Sequence, residues 1–234
     1  EENISYVLTG QKYISMYDAD QVKAAVMENG AVTASYFSNT KYINSTYGNH
    51  LYNYNYEQKN TNHAVTIVGW DDNKDKNLFT VKNGSSTYTP NNNGAWLIKN
   101  SWGTSCGKGG YIWISYEDLG ILSSDAVYYE IAPKSEYENL YQHDGATVAY
   151  NYTYGYSFAS VFEVEGKYEQ VNSLSFCVYG TQIGYTAYLY DNSNGKLLDK
   201  GELVASTSGV TTYSGYYTVD FDADYVFMQG DKFT

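Results

Sequence analysis

The spacing of apolar residues divides the chain into an N-terminal region with both helix and strand patterns and a C-terminal region with strand patterns alone. In the N-terminal region, Asp18 and Gln21 have the spacing of a capping box, and an apolar stripe with helical spacing follows until Asn29-Gly30 ends it. This pattern predicts a short amphipathic helix, whose stripe consists of Val22, Ala25 and Val26. Alternating or β-branched runs predict extended segments over 1–17, 31–37, 63–70, 78–82, 96–99, 111–115 and 126–130.

After Leu140 the helix signals vanish. Short alternating segments are separated there by Gly, Asn, Asp and Ser turns, which is the pattern of an antiparallel β-sandwich. The predicted strands are 148–152, 156–162, 170–179, 185–190, 201–205, 215–221 and 225–228. The final residues, 230–234, have the pattern of a turn that enters a strand, so we expect the sandwich to be truncated at this end.

Composition narrows the classes of function. A net charge of −12 argues against nucleic acid as a partner, because such binding requires clustered Lys and Arg. No apolar run approaches the roughly 20 residues of a membrane span. The 29 tyrosines and the abundant small polar residues are typical of secreted and surface β-rich proteins, so we expect a secreted or cell-surface location.

Two polar residues lie at the ends of two predicted strands. His63 precedes the run Ala-Val-Thr-Ile-Val-Gly-Trp, and Asn100 follows strand 96–99 and opens a Ser-Trp-Gly turn. An asparagine carbonyl that accepts a hydrogen bond from one imidazole nitrogen fixes the tautomer and leaves the other nitrogen for a nucleophile. The adjacent indole of Trp102 can shield that bond from water. These residues supply two thirds of a nucleophilic catalytic site.

The blocks His63-Ala-Val-x-Ile-Val-Gly-Trp, Trp-x-Ile-Lys-Asn100-Ser-Trp-Gly and Gly-Gly-Tyr resemble the His and Asn blocks of papain-family cysteine peptidases. The resemblance implies a cysteine-type endopeptidase that acts on polypeptides. In it His63 is the general base and acid, Asn100 orients His63, and Trp102 covers their bond.

The nucleophile of that family is missing from this sequence. The family carries it in a Cys-Gly-Ser-Cys-Trp-like block upstream of the histidine, with an oxyanion-hole glutamine before it. Cys106 and Cys177 both follow His63 and neither has that context, so no residue of this chain is assigned as the nucleophile. We expect that an N-terminal peptidase segment carrying the Cys and the Gln is missing, and that this chain is inactive unless paired with it.

The resemblance also assigns residues around the catalytic pair. Ser35 and Ala64 would line the pocket for the substrate side chain two positions before the cleaved bond, with Asn62 at its rim, although ordinary packing explains Ser35 and Ala64 equally well. No cofactor is expected for catalysis. Some cell-surface peptidases with a papain-like domain can hold a structural calcium near the junction of their domains. By this resemblance Asp125 and Asp144 would offer oxygen ligands here, although ordinary hydrated surface turns explain these residues as well.

The region after Leu140 is similar to the lectin-like domain of some bacterial cell-surface cysteine proteases, on the blocks that begin at Tyr141, Gln170 and Tyr185. The expected fold class is α+β, with a papain-like β-rich half-domain over 1–131, a linker over 132–139 and a lectin-like antiparallel β-sandwich over 140–234. One expected function is peptide hydrolysis. The alternative is a cell-surface module that binds a glycan or a protein, in which the peptidase half is a non-catalytic scaffold.

Overall fold

The computed structural model describes residues 5–136, 139–143, 157–196 and 199–234. The chain divides into two compact units. The central unit comprises Lys12–Tyr129, and the flanking unit comprises the residues up to Gln11 and from Glu130 onward. In the described part of the chain, no helix is both long and apolar enough to cross a membrane.

The described residues 5–136 contain ten strands, two α-helices and three 3-10 helices. The α-helices are α1 (Ala19–Asn29) and α2 (Leu119–Leu122). The 3-10 helices cover Thr40–Tyr42, Lys76–Phe79 and Lys134–Glu136. The strands are β1 (Tyr6–Ser15), β2 (Val32–Tyr36), β3 (Ile43–Asn44), β4 (Tyr52–Asn53), β5 (His63–Asp71), β6 (Val81–Asn83), β7 (Ser86–Tyr88), β8 (Ala95–Lys99), β9 (Tyr111–Ser115) and β10 (Asp125–Pro133).

In the central unit one sheet has the strand order β10-β2-β5-β8-β9-β4-β3. These neighbours pair antiparallel, except that β4 and β9 are parallel. Alternate side chains of β2 are buried, as period-two patterning requires, and α1 packs against β2 and β5. The sheet therefore holds β2, β5 and β8 side by side beneath a helix.

Helix α1 begins and ends where the sequence predicts. The Asp18 carboxylate accepts hydrogen bonds from the backbone N–H and the side-chain amide of Gln21, at 3.1 and 2.5 Å. Gly30 ends the helix in the left-handed region, with φ of 79°, and its N–H donates to the carbonyl of Val26. The predicted stripe of Val22, Ala25 and Val26 is buried. The sequence prediction for this helix is confirmed.

Replacement of Asp18 by alanine should destabilise the central unit by about 1 kcal/mol, the usual cost of losing a helix N-cap. The physical reason is that the N–H of Gln21 loses its side-chain acceptor. Urea unfolding at neutral pH measures this difference. Asp20→Ala is the matched control, since Asp20 is exposed in the first turn and does not cap. Equal effects of the two substitutions would contradict the capping role.

The segment after β5 differs from the sequence prediction. The strand predicted over 78–82 is wrong at its start, because Lys76–Phe79 forms a 3-10 helix and the strand covers Val81–Asn83. The cause is local: the Asp75 side chain accepts a hydrogen bond from the N–H of Asn77 at 2.9 Å and caps the 3-10 turn. The following segment, in which no strand is predicted, contains the hairpin partner Ser86–Tyr88.

The flanking unit contains only strands after residue 139 in its described part. One sheet has the order β11-β18-β14-β15, and two further antiparallel pairs are β12-β17 and β13-β16. Its core contains Val164, Leu189, Ala205, Phe227 and Phe233. The strands are β11 (Phe162–Glu163), β12 (Tyr168–Gln170), β13 (Ser173–Val178), β14 (Ile183–Asp191), β15 (Glu202–Thr211), β16 (Ser214–Asp220), β17 (Val226–Met228) and β18 (Lys232–Phe233).

Two predicted strands of this unit have other outcomes. The prediction over 156–162 is wrong except at its end, because the strand there covers Phe162–Glu163 and residues 157–161 are irregular. The prediction over 148–152 lies outside the described residues.

Candidate active site

The pairing of β5 with β8 brings His63 and Asn100 to the same edge of the sheet. His63 is the first residue of β5, and Asn100 directly follows the last residue of β8. The two strands are antiparallel, with Thr66 opposite Lys99, so the start of one strand lies beside the end of the other. The two residues are 37 positions apart in the sequence and become neighbours through this register alone.

His63 and Asn100 are joined by a hydrogen bond of 2.8 Å between Nε2 and Oδ1. The same Oδ1 accepts the N–H of Ser101 at 2.8 Å, so it is the acceptor in both contacts. Asn100 is 8% exposed, which protects the bond from competing water. His63 must therefore carry its proton on Nε2 when neutral, which leaves the lone pair on Nδ1.

Two aromatic rings flank the imidazole. Trp102 stacks on it with a centroid distance of 4.7 Å and an angle of 20°, and is itself 49% exposed. Tyr36, which lies opposite His63 in the β2–β5 register, meets the ring edge-on at 5.7 Å. Burial raises the pKa of the Tyr36 phenol, so this ring is a neutral neighbour. The sequence analysis did not single out Tyr36; its place opposite His63 follows only from the strand register.

The turn after Asn100 is closed by backbone hydrogen bonds that run through Gly110. Its carbonyl accepts the N–H of Asn100 at 2.9 Å, and its N–H donates to the carbonyl of Cys106 at 3.0 Å. Gly110 has φ of 93°, a conformation that only glycine adopts readily. The half-buried free thiol of Cys106 consequently lies beside Asn100, with Sγ 3.8 Å from Nδ2.

The three predicted substrate-binding residues lie next to His63. Ser35 pairs with Ala64 across β2 and β5, and Ala64 is exposed. The Asn62 side chain is paired with the backbone of Ser38, accepting its N–H at 2.7 Å and donating to its carbonyl at 3.1 Å. This bidentate pairing holds the chain one residue before His63. The roles of these residues toward a substrate stay predictions.

The predicted calcium ligands do not form a recognisable site within the described residues. Asp125 is exposed at the start of β10, and Asp144 lies outside the described residues. No group of three or more His, Cys, Asp or Glu side chains suited to a metal ion occurs in the described ranges. The calcium assignment stays a prediction, and no chemistry of His63 or Asn100 depends on it.

Comparison with known proteins places both regions of the chain in described families. Residues 1–130 match the papain family cysteine protease model, and residues 140–234 match the lectin-like domain model. No curated protein matches the chain.

Two solved structures of a clostridial protein resemble the whole chain. The clostridial cysteine protease Cwp84 after propeptide cleavage has a TM-score of 0.76 and 27% identity over 98% of this chain and 54% of that structure. The cysteine protease and lectin-like domains of Cwp84, a surface layer associated protein of Clostridium difficile, give a TM-score of 0.71 and 27% identity over 98% of this chain and 48% of that structure.

The chain thus spans about half the length of these structures. The predicted fold class, a papain-like β-rich part with a lectin-like β-domain, is confirmed. Since the papain model matches more than half of its residues, the chain belongs to the papain family of cysteine proteases.

Proposed function

We propose that this chain is the histidine-and-asparagine part of a cysteine-type endopeptidase whose nucleophilic cysteine lies in a segment outside it. The observation that carries the proposal is the 2.8 Å bond from His63 Nε2 to Asn100 Oδ1, beneath the stacked ring of Trp102. This arrangement leaves Nδ1 to receive and return a proton. Among the described residues, no hydrogen bond to Nδ1 occupies that position.

The proposed reaction has two stages. In the first, the thiol proton passes to His63 Nδ1, and the thiolate sulfur attacks the carbonyl carbon of the peptide. The C–N bond then breaks, the His63 imidazolium gives its proton to the leaving amine, and a thioester remains. In the second stage, His63 accepts a proton from water as the water oxygen attacks the thioester, and the proton returns to the departing sulfur. Water is consumed and no cofactor takes part.

Asn100 and Trp102 act on His63 rather than on the substrate. The Asn100 carbonyl accepts the Nε2 proton in both charge states of the imidazole, so it holds the ring direction while Nδ1 gains and loses its proton. The Trp102 indole covers one face of the ring and limits the access of water to the bond. We assign the oxyanion-hole glutamine, like the cysteine, to the segment outside this chain.

Two features support a cell-surface peptidase made of more than this chain. Cwp84 is described as a cysteine protease and a surface layer associated protein, and this chain corresponds to about half of its solved structures. The first residues of β5, where Ala64 is exposed, offer a face to the nucleophile-bearing segment. This chain alone should be inactive, because members of such a catalytic unit act together.

Intact mass measurement with N-terminal sequencing, followed by a thiol-directed active-site label, tests the proposal. We expect a polypeptide segment with a Cys-Gly-Ser-Cys-Trp-like block to accompany this chain in the active protein. The label should react with that segment and should leave Cys106 and Cys177 unmodified. Label incorporation at Cys106, or labelled protein without peptidase activity, would contradict the proposal and would favour the alternative function of a surface binding module.

A further inference from the structure

The sulfur of Cys106 contacts the part of Asn100 that His63 does not use. Asn100 Oδ1 binds His63 and the N–H of Ser101, whereas Asn100 Nδ2 lies 3.8 Å from Cys106 Sγ. Sulfur is a weak acceptor with long hydrogen bonds, so this distance suits an N–H···S contact. Among the described residues, Sγ is the acceptor found for Nδ2.

The burial of Asn100 gives this contact its importance. With only 8% of the residue exposed, the Nδ2 protons have little access to water. A buried N–H group without an acceptor is unfavourable, so loss of the sulfur would favour other side-chain rotamers of Asn100. Any such rotamer moves Oδ1 away from His63, because the two ends of one amide turn together.

The backbone fixes the position of Cys106 relative to Asn100. Gly110 bonds to the main chain of both residues, and the N–H of Cys106 donates to the carbonyl of Gly103 at 3.3 Å. A Cβ on Gly110 would meet the Gly103 carbonyl oxygen at 3.3 Å, so the turn is closed tightly at this point. The backbone of the turn therefore limits where the Cys106 sulfur can lie relative to Asn100.

We propose that Cys106 is a positioning residue: its Sγ accepts Nδ2–H of Asn100 and thereby keeps Asn100 Oδ1 directed at His63 Nε2. Cys106 acts through Asn100 and contacts no reacting atom. The kinetic consequence rests on the proposed peptidase function, but the effect on the imidazole does not. The inference can therefore fail independently of the proposed function.

Two substitutions of Cys106 distinguish the effect of its hydrogen-bond acceptor from the effect of its side-chain volume. Cys106→Ser keeps an acceptor in a smaller side chain, whereas Cys106→Val keeps an apolar side chain of similar size without an acceptor. Cys177→Val is the matched control, since Cys177 is an exposed cysteine in β13. Each variant is prepared in the protein as it is purified, with any accompanying segment, and thermal unfolding confirms that it is folded.

The first readout is the tautomer of His63. Nitrogen NMR of protein labelled with 15N-histidine gives the proton occupancy of Nδ1 and Nε2, and the His63 signals are assigned by their loss in His63→Gln. We expect Nε2–H to dominate in the wild type, in Cys106→Ser and in Cys177→Val. In Cys106→Val we expect the shifts to move toward a mixture of tautomers, because the hydrogen bond to Asn100 is then only partly populated.

The second readout is peptide hydrolysis by the protein that contains the nucleophile. We expect kcat of Cys106→Val to fall about fivefold with KM unchanged, the factor that corresponds to one neutral hydrogen bond of about 1 kcal/mol. Cys106→Ser should recover most of the loss. Selective loss in kcat indicates an effect on the catalytic pair rather than on substrate binding.

The results separate the two hypotheses. An unchanged His63 tautomer in Cys106→Val would overturn the positioning role. The role would also be overturned if Cys106→Val had the wild-type kcat while Cys106→Ser had a lower kcat, because the size of the side chain and not its acceptor would then be the important property. A shifted tautomer in a protein that hydrolyses no peptide would support the positioning role and contradict the proposed function.

Discussion

Replacement of His63 by alanine is expected to lower kcat/KM for peptide hydrolysis by about 10⁴-fold or more in the protein that carries the nucleophile. Without the imidazole, nothing accepts the thiol proton and nothing protonates the leaving amine. In the described part of the chain, the titratable ring that meets the imidazole edge-on, Tyr36, is a buried phenol whose raised pKa prevents it from replacing His63 as a base. The measurement is steady-state hydrolysis of a fluorogenic peptide, with thermal unfolding to confirm folding.

His50→Ala is the matched control for this prediction. His50 stacks on Tyr52 with a centroid distance of 5.9 Å and lies in the loop between β3 and β4. Its loss should leave kcat/KM within about twofold of the wild type, as for an ordinary surface substitution. Retention of more than about 1% of the activity in His63→Ala would refute the assignment of His63 as general base and acid.

The sequence was sufficient where local signals determine the structure. Helix α1 was predicted from Asp18 and Gln21, because a cap and a glycine stop act within a few residues of the chain. Strand β9 was predicted at its observed bounds, Tyr111–Ser115, since its first four residues alternate between more exposed and buried positions. The pairing of His63 with Asn100 was expected from the family resemblance and from their positions at strand ends.

The sequence was insufficient where distant segments determine the environment of a residue. The contact of Asn100 with Cys106 depends on how a glycine-rich turn closes, and the place of Tyr36 depends on strand register. The 3-10 helix at Lys76–Phe79 was missed because its apolar residues, Leu78 and Phe79, suggested a strand. The Asp75 cap was the local signal that could have identified it.

Asp118 is another residue whose environment depends on distant segments, and the sequence analysis did not single it out. It is fully buried, and it accepts four hydrogen bonds that hold together two segments of the central unit, 53–55 and 118–121. One carboxylate oxygen accepts from the Asn53 side chain and the Asn55 N–H, both at 2.7 Å. The other accepts from the N–H groups of Gly120 and Ile121, both at 3.0 Å, at the start of α2. A charged residue in a sequence gives no sign that it will be buried.

Replacement of Asp118 by alanine should destabilise the protein by about 3–5 kcal/mol at pH 7. The substitution leaves four N–H donors without an acceptor inside the central unit and opens a cavity beside them. Asp118→Asn should cost less, because one amide oxygen still accepts two of the four bonds while its NH₂ group faces the other two donors. Urea unfolding followed by circular dichroism measures both values, and a change below 1 kcal/mol for the alanine variant would disprove this role.

The pH dependence of the destabilisation caused by these two Asp118 substitutions gives a sharper test. Burial raises the pKa of Asp118 to about 6, although its four hydrogen-bond donors oppose the shift. Between about pH 4 and 6 the folded state therefore binds a proton that the unfolded state, with a pKa of about 3.9, has released. The part of the stability contribution of Asp118 that is linked to proton binding is complete below pH 4 and is lost as the pH rises through 6, whereas its four hydrogen bonds remain at pH 7. The cost of either substitution should therefore decrease by roughly 3 kcal/mol between pH 4 and pH 7.

Asp72→Asn is the control of opposite sign. Hydrogen bonds from Lys23 and Tyr116 lower the pKa of the Asp72 carboxyl, so its stabilising effect is present at neutral pH and disappears as the pH falls through its folded-state pKa. The cost of Asp72→Asn should accordingly shrink in acid, whereas the cost of Asp118→Asn should grow. If both substitutions followed the same trend with pH, general charge effects of the acidic chain would explain them, and the raised pKa of Asp118 would be wrong.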